Sequence, residues 1–188
     1  MIRILIVMTL LTFVCVVPAH SSDEAPKTRE VKAQDLTLTV PESWKQQQVS
    51  SNLRLAQFSV PAVEGDADPT EVVVFPPFGG SVADNVKRWI GQFQSEEREL
   101  KMVRGKASQG TYVLVDLSGT YNKPDGPPFL RKTVPAPDYR MVSVMLTPEG
   151  AGNYFLKIVG PKATVAKELD SFRKSFGGDS SSEEAFDF

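Results

Sequence analysis

The segment YFLKIVGPKATVAKELDSFRKSF, residues 154–176, decides the fold. Tyr154 to Val159 reads as a strand. The chain then turns at Gly160-Pro161, and Pro161 suits a first helical turn, where its missing N–H has no partner to lose. Val165, Leu169, Phe172 and Phe176 recur at i, i+4, i+7 and i+11, a single face at 3.6 residues per turn. Gly177-Gly178 stops the helix. A helix with one apolar stripe has to lie on something apolar, and the strand that feeds it makes that something a sheet.

Working outward, Tyr139 to Leu146 reads as a strand joined to Tyr154–Val159 by Thr147-Pro148-Glu149-Gly150-Ala151-Gly152. So short a link forces the two strands to be antiparallel, because a parallel crossover needs about a dozen residues. Leu36 to Val40 and Ala56 to Val60 alternate at period two, and Glu71 to Phe75 is β-branched and apolar. Val113, Val115 and Leu117 mark another strand, after a polar break from Gly105 to Gly110. Between the strands, Ser81 and Asp84 cap a second amphipathic helix. Its apolar stripe is Val82, Val86, Trp89, Ile90 and Phe93. The sum is α+β: a mainly antiparallel sheet of about six strands packed by two long amphipathic helices.

Residues 122–138 hold five prolines in seventeen positions. Proline cannot donate to a ladder, so this stretch is expected to be a long loop. Residues 20–34 are polar and patternless, a flexible lead-in. Residues 179–188 are acidic and serine-rich, the composition of a disordered tail. A single globular domain is expected over 35–178, without internal repeats.

The N-terminus is written for export. Met1-Ile2-Arg3 is a short basic region, Ile4 to Val17 is apolar, and Val17-Pro18-Ala19 presents a cleavage site before polar His20-Ser21-Ser22. Fourteen apolar residues fall short of the roughly 20 that span a bilayer. Residues 1–19 are therefore expected to be a signal peptide, and the protein to be secreted or periplasmic. Cys15, the one cysteine, follows bulky Phe13 and Val14, which fit poorly with a lipid-attachment site, and it leaves with the leader. An exported domain without disulfides relies on its core alone, and about 170 residues supply one.

Losing Arg3 with the leader moves the net charge from −2 to −3, which does not suit a nucleic-acid binder. No later apolar run reaches membrane-spanning length. For catalysis, His20 is the only histidine and sits at the cleavage junction, so no Ser–His or Cys–His pair is available. Glu42, Asp116 and Asp138 remain as acids in or near strands, where surface groups are the ordinary reading. Asp66 and Asp68 lie in a turn, but Gly65 precedes them and Pro69 follows, unlike a calcium loop. Phe78-Gly79-Gly80-Ser81 opens a helix without the lysine of a P-loop. No catalytic residue, metal or cofactor is expected.

Four stretches together resemble a known family: LTLTVPESW (36–44), VVVFPPFGGSVADNVKRWIGQF (72–93), YRMVSVML (139–146) and YFLKIVGPKATVAKELDSFRKSF (154–176). The chain is similar in these to the PsbP-like α/β/α sandwich family, which includes the extrinsic photosystem II subunit and a nuclear Ran-binding factor. The resemblance implies a helix on each face of the sheet. It also implies a non-enzymatic adaptor that binds a larger protein, with no partner-contacting residue to carry over.

Candidate contacts come from the residues themselves. Trp89 lies on a helical stripe and reads as core. Trp44 follows a strand and a proline turn, where it either covers a sheet edge or stands exposed as a contact. Phe129, Leu130, Arg131 and Lys132 combine apolar area with positive charge in the proline-rich segment, as protein contacts do. The expected function is an exported accessory protein engaging a protein partner. The alternative is a small-ligand binder or enzyme using a cleft between sheet and helix.

Overall fold

The computed structural model describes residues 26–49 and 51–187. The expected leader, with Cys15 and His20, lies outside the described residues. Among the described residues ten strands and two α-helices follow in order: β1 (Thr28–Ala33), β2 (Leu36–Pro41), β3 (Lys45–Gln46), β4 (Ala56–Val60), β5 (Thr70–Phe75), α1 (Val82–Ile90), β6 (Glu99–Ala107), β7 (Gly110–Pro124), β8 (Thr133–Pro148), β9 (Tyr154–Pro161), α2 (Lys162–Ser175) and β10 (Gly178–Ala185). Eight strands form one antiparallel sheet in the order β10-β6-β7-β8-β9-β5-β4-β3, while β1 and β2 pair separately.

The α+β class and the antiparallel sheet stand as read, but the count of six strands does not. The lead-in holds β1, which pairs with β2 from Thr28↔Pro41 to Ala33↔Leu36. The polar break contains the end of β6, which pairs along its whole length with β7. Of the two helices only α2 is long, since α1 spans nine residues.

The expected loop 122–138 is mostly ladder. β7 and β8 continue past Tyr121↔Ala136 through Asn122↔Pro135 to Pro124↔Thr133, leaving only 125–132 as the turn. Pro135 and Pro137 are two residues apart, so their ring nitrogens lie on the same edge of β8. β9 joins β8 only from Tyr139 onward. Over 133–138, β8 therefore has a free edge, where a missing N–H costs nothing. A register shift between Gly119 and Tyr121, with Gly119 at φ +138°, bends this extension. A side chain at Gly119 would press on the Glu97 carbonyl at 3.2 Å.

The sheet carries a core on each face. Along β9, Tyr154, Leu156 and Ile158 enter one, and Phe155 and Val159 the other. The first is covered by β1–β2 and by Val165, Phe172 and Phe176 at the α2 end. The second is covered by Val86 and Trp89 of α1 and by Phe93. Strands buried on both faces need apolar side chains at successive positions, which is why β5, β8 and β9 read so plainly. α1 starts in a reciprocal capping box: the Asp84 N–H donates to Ser81 Oγ at 3.1 Å, and the Ser81 N–H donates to Asp84 Oδ2 at 3.4 Å. α2 begins at Pro161 without a side-chain cap of its own. Asp66 serves it instead, accepting from the Thr164 N–H at 3.1 Å and from Thr164 Oγ1 at 2.5 Å. Asp66 is thereby a helix-capping group.

The expected disordered tail is strand β10, paired with β6 at Gly178↔Ala107, Asp179↔Lys106, Glu184↔Arg104 and Ala185↔Val103. Glu183 anchors it. Arg173 of α2 donates through Nε at 2.7 Å and through its terminal nitrogen at 3.2 Å, and the Tyr112 hydroxyl donates at 3.0 Å. Charge-assisted, two-pronged bonds of this kind are strong enough to order a polar segment.

The four tyrosines test this packing. Burial, above all, raises the phenol of Tyr112, Tyr121, Tyr139 and Tyr154, taking Tyr121 to about 12. An unfolded tyrosine ionises near pH 10. The folded state's hold on neutral phenols is thus complete below about pH 10 and lost as pH rises through the raised values. Absorbance titration should show the native phenolate signal rising well above pH 10, with stability falling over the same range. A native midpoint at the unfolded value would mean that the rings are solvated.

Candidate functional site

The residues singled out from the sequence part company here. Trp44 is fully buried, tilted on Phe58 at 6.2 Å, and its indole N–H donates to Glu168 Oε2 of α2 at 3.0 Å. It is a core residue linking the sheet to α2 and cannot be a partner contact. The other four lie together at the tip of the β7–β8 hairpin. Phe129 is 80% exposed and Leu130 58%. Arg131 and Lys132 are exposed beside them, Lys132 paired with Asp125. Arg131 takes the left-handed conformation, φ +50°, at the exit of the turn Pro128–Leu130. Two backbone bonds close the tip, Asp125 N–H to the Lys132 carbonyl at 2.9 Å and Leu130 N–H to the Pro127 carbonyl at 3.0 Å.

The base of the hairpin is fastened to the domain. Lys123 Nζ and the Tyr139 hydroxyl donate to Asp68 Oδ2 at 2.9 and 2.6 Å, and these bonds hold the Asp68 carboxyl below its ordinary range. Tyr121 stacks on Tyr139 at 5.8 Å and leans on Phe93 at 5.3 Å. Asp66 and Asp68, neighbours in sequence, therefore serve α2 and the hairpin separately, and no group of acids suited to a metal occurs among the described residues. The result is an apolar, positively charged tip on a rigid stem.

A second feature lies under α1, between sheet and helix, where Trp89 read as core and Phe78 as part of a turn. A cleft of about 170 Å³ opens between α1 and strands β5 and β9, lined by Phe75, Phe78, Trp89 and Phe155 with Arg88 and Lys157. Phe78 stacks on Phe155 at 5.8 Å, and Trp89 meets Phe155 edge-on at 6.2 Å. Lys157 is a lysine inside an otherwise apolar strand, the one signal in sequence that could have pointed here. Burial pushes its ammonium down from the ordinary lysine range; the negative charge of Glu71 opposes that shift, and the positive charges of Arg54 and Arg88 add to it.

Ser143 stands directly opposite Lys157 in the β8–β9 ladder, with its Oγ unpartnered. A serine beside a desolvated lysine is a nucleophile pattern. Ser143 is 0% exposed, however, which leaves a substrate carbonyl no approach. A larger depression of about 420 Å³ lies over β6 and β7 against Phe186, and Arg104 and Glu184 at its margin pair with each other at 3.1 Å.

No family model matches the chain, and no curated protein matches its sequence. Among solved structures, the chain is similar to the solution structure of cyanobacterial PsbP (CyanoP) from Synechocystis sp. PCC 6803. The identity is 11%, the match covers 88% of this chain and 96% of that one, and the TM-score is 0.45. That protein is of the family which the four sequence stretches resemble. No helix among the described residues is long and apolar enough to cross a membrane.

Proposed function

We propose that this is an exported, non-enzymatic accessory protein that engages a protein partner through the tip of the β7–β8 hairpin. The observation that carries the reading is Phe129, 80% exposed beside Leu130 on a stem fixed by Asp68, Lys123 and Tyr139. An exposed aromatic on a rigid support loses little freedom when it enters a partner's pocket, and such anchors dominate interface energetics. Arg131 and Lys132 add charge that steers a partner with an acidic rim. Export rests on the Ile4–Ala19 leader pattern.

The test compares the mature domain with its Phe129→Ser, Leu130→Ser variant in affinity capture from the exporting cell. The double variant should retain the parent's thermal stability, since neither side chain is in a core. It should lose the captured protein by at least about 30-fold, the expectation for removing an anchor worth about 2 kcal/mol. Equal recovery of the same protein by parent and variant would place the contact elsewhere.

A further inference from the structure

We propose that the cleft beneath α1 binds a small organic anion, a carboxylate carried on a single flat ring. Three independent features of the cleft converge on that chemistry. Its size comes first. At about 170 Å³ it is well under the several hundred Å³ of a site for a larger ligand. It is close to the roughly 150 Å³ cavity that accepts one benzene ring in another protein.

The walls come second. Phe75, Phe78, Phe155 and Trp89 form a chain of rings at centroid spacings of 6.0, 5.8 and 6.2 Å. A flat apolar body gains most from such walls, by stacked and edge-on contacts.

Charge comes third. Lys157 Nζ has no hydrogen-bond or ion-pair partner among the described residues. The carboxylate that could neutralise it, Glu71, already accepts from Arg54 and Gln57 at 2.8 Å each. Arg88 at the cleft donates to Asn85 Oδ1 and makes no ion pair among the described residues. A partly buried ammonium whose opposing charge, Glu71, is shared with Arg54 is undercompensated, and an anion entering from solvent would supply the rest. The lowered proton affinity of Lys157 comes first from burial, against which Glu71 acts only in part.

Two basic side chains lining an aromatic slot distinguish acid from amide and ring from chain. The test uses benzoate as probe, with benzamide as the neutral analogue and acetate as the charge without the ring. NMR titration follows the Trp89 indole N–H. Trp44, in the core on the opposite face of the sheet, provides the internal control. Benzoate should shift Trp89 saturably at about 1 mM or below, as a fragment of that size allows, and leave Trp44 unmoved. Benzamide and acetate should each bind at least tenfold more weakly. Lys157→Met should keep the fold, because an apolar chain replaces an unpaired charge, and should weaken benzoate tenfold or more. Arg88→Gln, on the exposed side, should weaken it to a lesser degree. Equal binding of benzoate and benzamide, an unchanged benzoate affinity in Lys157→Met, or no saturable shift of Trp89 would each overturn the assignment.

Discussion

Glu183→Ala should lower the free energy of unfolding by about 3 kcal/mol in denaturant titration, although the residue lies in a serine-rich tail. The side chains of Arg173 and Glu183 are only 12% and 9% exposed. Removing the carboxylate leaves the guanidinium of Arg173 nearly dry, with only Asp170 at 3.7 Å, itself 83% exposed, to replace it. It also takes from the Tyr112 hydroxyl its acceptor at 3.0 Å, leaving only the Asp179 carbonyl at 3.4 Å. Breaking one side of a buried pair is expensive because the survivor remains desolvated and unpaired. Glu184→Ala is the control: its pair with Arg104 is 64% and 70% exposed and should be worth less than about 1 kcal/mol. Equal, small losses in both variants would mean that β10 does not hold α2.

Val86→Asp should cost about 4 kcal/mol or more, the range reserved for an unpaired charge forced into a core. Val86 is 0% exposed and shares its core with Trp89 and Phe93. A helix of nine residues has no independent stability in water, so α1 exists only through that packing. The melting temperature should fall by about 10 °C, as expected for a domain of this size. Lys87→Ala, one position along on the exposed face, should move it hardly at all. Similar melting for the two variants would show that α1 does not seal its face of the sheet.

What could be read from the residues follows their burial. β5, β8 and β9 are covered on both faces, so their runs of valine, leucine and methionine were unmistakable. α2 announced itself through Val165, Phe172 and Phe176, all fully buried. β6 was missed because its side chains are mostly exposed or half-buried, and Lys101, Arg104 and Lys106 leave only Val103 in a core. β10 offers no apolar side chain except Ala185; its order comes from Glu183, whose partners are 71 and 10 residues away in sequence. No local pattern encodes such a tie.

The hairpin misled for a different reason. Proline argues against strands in general, yet β8 carries Pro135 and Pro137 where it has one neighbour rather than two. Of the contact candidates, composition grouped Phe129 to Lys132 correctly as one exposed cluster. It left Trp44 open between cover and contact, and the bond to Glu168, 124 residues away, closes that question. A cleft between sheet and helix was foreseen as an alternative, but its lining was illegible because Phe75, Trp89 and Phe155 come from three elements that meet only in the fold.

The placement of β10 at one end of the eight-stranded sheet bears on how copies of this protein behave toward one another. At the opposite end the last strand, β3, is two residues long and too short to template anything. Without residues 178–185, the nine residues of β6 would present an open row of backbone donors and acceptors, which is what another chain needs to add a strand. β10 covers part of that row, at Val103, Arg104, Lys106 and Ala107, and turns outward Ser180 and Ser181 with Asp179 and Glu184, while its register breaks between Asp179 and Glu184. A polar, acidic and irregular margin is a poor template for a further strand. Loss of the tail would therefore uncover that stretch of β6 as an unpaired strand edge.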